Sequence, residues 1–167
     1  MMKKLLLTPV ILFLLVTCAN ASHLMGGEIT WQCLPSGQFK FTMKVYRDCA
    51  GIPFGPPVSL DVHNHPSITS IAMNLVSQKD ISPDCNPGSG TQITCAGATS
   101  STVGAVEEFI FESNPIFLNG TPPAAGWIFS WGSCCRNSAI DNLVGAGSLG
   151  FTLRAKMFAY NGLNTNP

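Results

Sequence analysis

The stretch Trp127-Ile128-Phe129-Ser130-Trp131-Gly132-Ser133-Cys134-Cys135-Arg136-Asn137 constrains this chain more than any other. Successive side chains of a strand point to opposite faces, so Trp127, Phe129 and Trp131 share one face, while Cys134 and Cys135, if still extended, look in opposite directions. A disulfide between neighbours needs a strained ring, because ordinary geometry asks for Cα atoms further apart than one peptide unit allows. Two adjacent thiols therefore want two different partners, and the aromatic strand is expected to be stapled to two other parts of the chain.

A staple needs an oxidising compartment, and the N-terminus supplies the route to one. Lys3 and Lys4 form a short positive region, Leu5 to Val16 is an apolar run interrupted by Thr8 and Pro9, and Ala19-Asn20-Ala21 offers the small residues a signal peptidase reads. Residues 1–21 thus read as a cleavable export signal, with the mature chain starting at Ser22. The apolar run is well short of the ~20 residues that cross a bilayer, which argues against a membrane anchor. A lipidated reading through Leu15-Val16-Thr17-Cys18 is weakened by Thr17, a poor residue before a lipidated cysteine.

With Lys3 and Lys4 removed, the nine Lys and Arg fall to seven against nine Asp and Glu, so no basic surface for nucleic acid is present. Charged residues are 11% of the chain against a typical quarter, and Gly, Pro, Ser, Thr and Asn are plentiful. That composition suits short strands with long loops. Residues 22–167 have the size of one ordinary domain.

Six cysteines remain after cleavage: Cys33, Cys49, Cys85, Cys95, Cys134 and Cys135. An even number in an exported chain reads as a disulfide framework, with fifteen possible pairings. Cys85 and Cys95 flank the turn-rich Asn86-Pro87-Gly88-Ser89-Gly90, so they are paired here, closing a short loop worth roughly 3 kcal/mol on the chain-entropy model. Cys33 and Cys49 then go to Cys134 and Cys135, in either order. A zinc site is the competing reading, but no Cys-x-x-Cys pair occurs, and no cofactor is expected.

In chain order, Ile29, Trp31 and Cys33 alternate with polar residues as a half-buried strand, Pro35 to Gln38 turns the chain, and Phe39 to Tyr46 alternates with Phe39, Phe41, Met43 and Val45 inward. The pair predicts a β-hairpin. Arg47-Asp48-Cys49 closes its second strand, and Gly51 to Pro57 is loop. Val58, Leu60 and Val62 predict a third strand, and Ile68 to Val76 a fourth. Ser82 to Ser101 is a long Pro- and Gly-rich loop. Glu107 to Glu112, Trp127 to Trp131 and Phe151 to Met157 complete seven strands, with one helical turn allowed between Asn137 and Val144. The pattern predicts an all-β, disulfide-stapled antiparallel β-sandwich of immunoglobulin-like kind.

Several fragments invite a catalytic reading. Gly145-Ala146-Gly147-Ser148-Leu149-Gly150 has Gly-x-Gly-x-x-Gly spacing, but a period-two strand follows where a dinucleotide site needs a helix N-terminus, so a turn is the better reading. Ser148 has no Asp, Glu or His after it to form a hydrolase triad. His63 and His65 would share a strand face, but Pro66 follows and no third metal ligand is near. Glu107 and Glu108 are neighbours facing opposite sides, which suits a charged strand end and not a carboxylate pair. Asn119-Gly120-Thr121 matches an N-glycosylation acceptor, relevant only in a host that has that machinery.

Ser22-His23-Leu24-Met25-Gly26-Gly27-Glu28-Ile29-Thr30-Trp31, Val45-Tyr46-Arg47-Asp48-Cys49 and Trp131-Gly132-Ser133-Cys134-Cys135-Arg136-Asn137 together resemble the N-terminal module of large secreted surface proteins of gliding bacteria of the Bacteroidetes type. The three anchors occur in that family's order and span nearly the whole of residues 22–167. Such proteins continue into immunoglobulin-like or PKD-like repeats and end in a gliding-motility-associated or type IX secretion sorting domain. The resemblance implies an N-terminal module of a longer protein, secreted or at the cell surface; a chain that ended at Pro167 would be periplasmic. It carries no catalytic residues.

The function expected is a non-enzymatic structural or adhesive module. Its partners would be other domains of the longer protein, or an extracellular glycan or protein, with no nucleic acid and no membrane span once the signal is cleaved. The alternative is a carbohydrate-binding module or a fragment of a secreted hydrolase. A sugar platform needs Trp or Tyr side chains in solvent, whereas the structural reading buries Trp31, Trp127 and Trp131.

Overall fold

A computed structural model describes residues 23–51, 55–83, 93–96, 104–134, 136–137, 139–160 and 163–164. The predicted export signal, Cys85 and Cys135 lie outside them. The strands are β1 (Leu24–Cys33), β2 (Phe39–Asp48), β3 (Val58–His63), β4 (Ser70–Asp80), β5 (Val106–Ser113), β6 (Trp127–Cys134) and β7 (Gly150–Met157), followed by a two-residue hairpin of β8 (Ala159–Tyr160) and β9 (Leu163–Asn164). All seven predicted strands are present, most of them extended beyond their alternating core by one or more residues. A 3-10 turn falls at Ala146–Ser148, just after the segment where a helical turn is allowed by the sequence.

The seven long strands form one antiparallel sheet in the order β1-β2-β5-β4-β3-β6-β7. Period-two patterning fixes which face is buried: Phe39, Phe41, Met43 and Val45 on β2, Phe109 and Phe111 on β5, and Trp127, Phe129 and Trp131 on β6 all turn inward. The sheet then curls until its two halves face each other. Phe129 of β6 lies 4.5 Å from Phe41 of β2 and 5.9 Å from Trp31 of β1, ring centre to ring centre, although neither strand neighbours β6 in the sheet. The result is an all-β, disulfide-stapled fold of sandwich or barrel type, with an aromatic core between the halves.

Curling brings the sheet's two ends together, and Gly27 permits the closest approach. A Cβ there would overlap the Lys44 carbonyl oxygen on β2 and stand 2.9 Å from Leu153 Cδ1 on β7. Gly26 has room for a Cβ instead, which would meet Tyr46 Cδ2 in ordinary van der Waals contact at 3.9 Å. Gly27→Ala should therefore destabilise by about 1–3 kcal/mol through overpacking, while Gly26→Ala is near neutral. Thermal melts of the two variants check this: equal midpoints would mean that β1 and β7 do not pack as described.

Antiparallel pairing sorts the connections into two poles. At the N-terminal pole lie the start of β1, the segment after β2, the end of β4, the start of β5 and the long β6–β7 connection. At the opposite pole lie the β1–β2 turn, the β3–β4 and β5–β6 connections and the end of β7.

Candidate functional site

The N-terminal pole gathers residues from all three anchor stretches. Arg47 continues the inward phase of β2 and sits in register with Glu107, which continues the inward phase of β5. Both are buried, and Arg47 Nη2 donates to Glu107 Oε2 at 2.7 Å. Arg47 Nη1 donates to the Gly51 carbonyl at 2.7 Å, the guanidinium lies 6.0 Å from the Phe109 ring centre, and Gln78 Nε2 donates to Glu107 Oε1 at 2.6 Å. A charge taken out of water is tolerated only when paired and hydrogen-bonded in this way.

One residue further along β2, Asp48 points the other way and ties two loops. Its Oδ1 accepts from Ala50 N and its Oδ2 from Asn137 Nδ2, both at 2.9 Å. Asn137 Oδ1 accepts from Ala139 N at 2.8 Å, and Asn137 N donates to the Leu24 carbonyl at 3.3 Å. Asp48 N donates to the His23 carbonyl at 3.1 Å. His23 packs over Gly51 so closely that a Cβ on Gly51 would come within 2.7 Å of the histidine Cβ. Arg136 lies beside this network, its Nε donating to the Gly150 carbonyl at 3.0 Å and its guanidinium 5.7 Å from the Phe151 ring centre.

The disulfides differ from the pairing expected. Cys95 is bonded to Cys49, Cα atoms 5.1 Å apart, and not to Cys85. The cause is in the loop ends. Asp80 Oδ2 accepts from Cys95 N at 2.7 Å, and Cys49 N donates to the Ala105 carbonyl at 3.0 Å, so the segment after β4 is held against the end of β2. The hydrogen bonds to Asp80, from the Ser82 hydroxyl foremost and then from the Cys95 and Ser82 amides, hold its carboxyl below the ordinary 3.8. Cys33 is free and exposed, which corrects its assignment to Cys134 or Cys135. It ends the ten-residue β1 at the opposite pole, on the order of 30 Å from the pole where β6 ends, at ~3.3 Å per residue. Cys134 is disulfide-bonded, to a cysteine outside the described residues.

The other motifs separate. His63 ends β3 with Nε2 3.1 Å from Ser130 Oγ, while His65 lies beyond the turn at Asn64, 4.6 Å from the Trp127 ring centre, so the two do not share a face. Among the described residues no group of three or more His, Cys, Asp or Glu side chains is placed to hold a metal ion. Ser148 Oγ donates to the Gly145 carbonyl at 2.8 Å within the turn before β7. Asn119 and Thr121 are exposed on the β5–β6 connection. Glu107 and Glu108 do face opposite sides, but Glu107 is buried, which a charged strand end does not describe.

His65 has a structural role with a pH signature. Its Nδ1 accepts from Ser67 N at 3.2 Å and Ile68 N at 3.0 Å, which requires that nitrogen unprotonated. Burial lowers its pKa from the ordinary 6.5. A histidine kept neutral on folding adds no penalty above the unfolded pKa. Below it the unfolded chain binds the extra proton, so stability falls as pH drops through about 6.5 until the lower folded pKa is reached. His65→Asn keeps an acceptor for the turn and should flatten that part of the curve. Urea midpoints between pH 7 and pH 5 check it, and an unchanged slope in the variant would remove His65 as the cause.

No protein family, curated protein or solved structure matches the chain. Fold and pole together define a disulfide-stapled antiparallel β domain whose three sequence anchors meet at one end.

Proposed function

We propose that residues 22–167 form a non-enzymatic structural or adhesive module of an exported bacterial surface protein, of the kind that heads the longer secreted proteins of gliding Bacteroidetes. The observation that carries this reading is the convergence of the three anchors: Leu24, Arg47, Asp48 and Asn137 are engaged with one another or with the loops beside them, so the most distinctive residues of the sequence build the domain. Burial of Trp31, Trp127 and Trp131 supports it over an aromatic sugar platform. In this reading residues 1–21 are the export signal, and the protein is secreted or held at the cell surface.

Intact mass of the exported protein should begin at Ser22, and a diacylglycerol on Cys18 would overturn the processing. A glycan-array screen of the same material should leave every arrayed glycan intact. Glycan binding that quenches Trp fluorescence, and so uses an aromatic platform, would favour the carbohydrate-binding alternative, and turnover of an arrayed glycan would favour the hydrolase.

A further inference from the structure

Of the seven Lys and Arg in residues 22–167, five face a carboxylate or a carbonyl. Lys40, Lys44 and Arg47 are paired with Glu112, Glu28 and Glu107. Arg136 donates to the Gly150 carbonyl beside the Phe151 ring, and Lys79 stands opposite Glu108 in the β4–β5 register. Arg154 and Lys156 are left. Both are exposed on the outward phase of β7, and among the described residues neither is within ion-pair distance of a carboxylate. The sheet register shows what surrounds them. Arg154 lies across from Ser130, which lies across from Asp61; Lys156 lies across from Ile128, which lies across from His63. Directly opposite residues of antiparallel strands share a face, so these six form two adjacent rows on the outer face of β3, β6 and β7. His63 Nε2 stands 3.1 Å from Ser130 Oγ and ties one row to the other. β7 is the last strand of the sheet, so the two cations stand at its edge.

What such a face takes is set by the order of its groups. From β3 to β7 one row reads carboxylate, hydroxyl, guanidinium, and spans two strand spacings, ~10 Å. Along β7 the two cations are ~7 Å apart at their Cα atoms. A nucleic acid or an anionic bilayer presents negative charge throughout and would meet the Asp61 carboxylate at the far end of the row. Two cations, moreover, contribute only ~1 kcal/mol each at a lipid surface. An acidic saccharide carries both kinds of group: hydroxyls that donate to a carboxylate or share a proton with serine and histidine, and carboxylates that accept from a guanidinium in pairs. We propose that the outer face of β3, β6 and β7 binds an acidic glycan, with the carboxylate of a uronic-acid unit on Arg154 and Lys156 and the hydroxyls of the neighbouring unit on Asp61, His63 and Ser130. Trp127 and Trp131 lie on the buried phase of β6, behind this face, so no aromatic platform takes part. The inference rests on the adhesive reading and gives it a ligand class.

Retention of the exported, processed chain on immobilised polygalacturonate, with its disulfides intact, tests it. Dextran serves as the neutral matrix, and polyphosphate and phosphatidylglycerol vesicles as anions without sugar rings. The chain should be retained on polygalacturonate at low salt, released by molar salt, and not retained on dextran. Arg154→Gln with Lys156→Gln should weaken binding by about tenfold or more with an unchanged thermal melt, since both side chains are already in solvent. Lys40→Gln with Lys44→Gln makes the same change in net charge on the outer face of β2 and should leave binding as it was. Asp61→Ala separates a saccharide from a bare polyanion: it should weaken polygalacturonate binding about threefold and leave polyphosphate binding no weaker. Absence of retention overturns the proposal. So does retention that the Arg154/Lys156 variant keeps, tighter binding to polyphosphate or to the vesicles than to polygalacturonate, or polygalacturonate binding that Asp61→Ala strengthens. Quenching of Trp fluorescence by the bound glycan, or its cleavage, overturns the adhesive reading and this proposal together, whereas the other outcomes overturn the proposal alone, so the two failures are distinguishable.

Discussion

Glu107→Ala should destabilise the domain by about 3–5 kcal/mol, the range for removing one partner of a buried ion pair. The loss comes from what remains. The Arg47 guanidinium keeps its bond to the Gly51 carbonyl and the face of Phe109, but its 2.7 Å carboxylate partner is gone and its charge is still out of water. Gln78, whose amide donates to the other carboxylate oxygen at 2.6 Å, loses an acceptor too. Against a typical domain stability of ~5–15 kcal/mol, such a loss leaves a chain that is unfolded or nearly so in mild urea. Arg47→Met combined with Glu107→Leu is the informative control. Replacing both charges with apolar groups of similar volume removes the desolvation cost along with the attraction, so the double variant should recover most of the stability. Urea melts of the parent, the single and the double variant decide it. A single variant within ~1 kcal/mol of the parent would mean that water reaches the pair and that the pole is not sealed.

Arg47 and Glu107 also show what was readable in the sequence and what was not. The inward phase of β2 runs Phe39, Phe41, Met43, Val45, and the same count of two lands next on Arg47; on β5 the phase of Phe109 and Phe111 runs back to Glu107. Two opposite charges on the buried phase of two strands is a legible sign of a buried pair. Reading Glu107 with its neighbour Glu108, and not with its phase mates, hid it. The strands were legible for the same reason, since each buries one face and its residues must alternate.

Loops obey no such period. Cys95 sits beside Cys49 because Asp80, Ser82 and Ala105 fix the ends of the β4–β5 connection, and none of those side-chain and backbone bonds has a spacing that sequence displays. Proximity along the chain favoured Cys85 instead, although loop closure grows costlier only slowly with length and so discriminates weakly between partners. Cys33 is free because of the direction of its strand, which pairing by elimination ignores. β1 carries it away from the pole where Cys49, Cys95 and Cys134 lie. The convergence of Asp48 with Asn137, 89 residues apart in sequence, was signalled only by the joint presence of the anchor stretches.

Replacing Cys49 and Cys95 together by Ser should cost about 4 kcal/mol, more than the short-loop bridge first expected between Cys85 and Cys95 would be worth. The bond joins residues 46 apart, and in the chain-entropy model the constraint it places on the unfolded chain grows with that separation. The native side adds to the loss, because the bond fastens Cys95, in the connection between β4 and β5, to Cys49 just past the end of β2. Without the bond, the described contact left on the Cys95 amide is the Asp80 carboxylate at 2.7 Å, and that carboxylate is solvent-exposed. Cys33→Ser makes the matching comparison: the thiol is free and exposed, so its loss should leave the melt unchanged, and it should be the described cysteine that a maleimide labels in the folded, oxidised chain. Thermal melts with and without reductant, read beside the labelling, settle the pairing. A Cys49/Cys95 variant melting within a few degrees of the parent, or a Cys33→Ser variant melting far below it, would mean that the pole is held together by a different set of bridges.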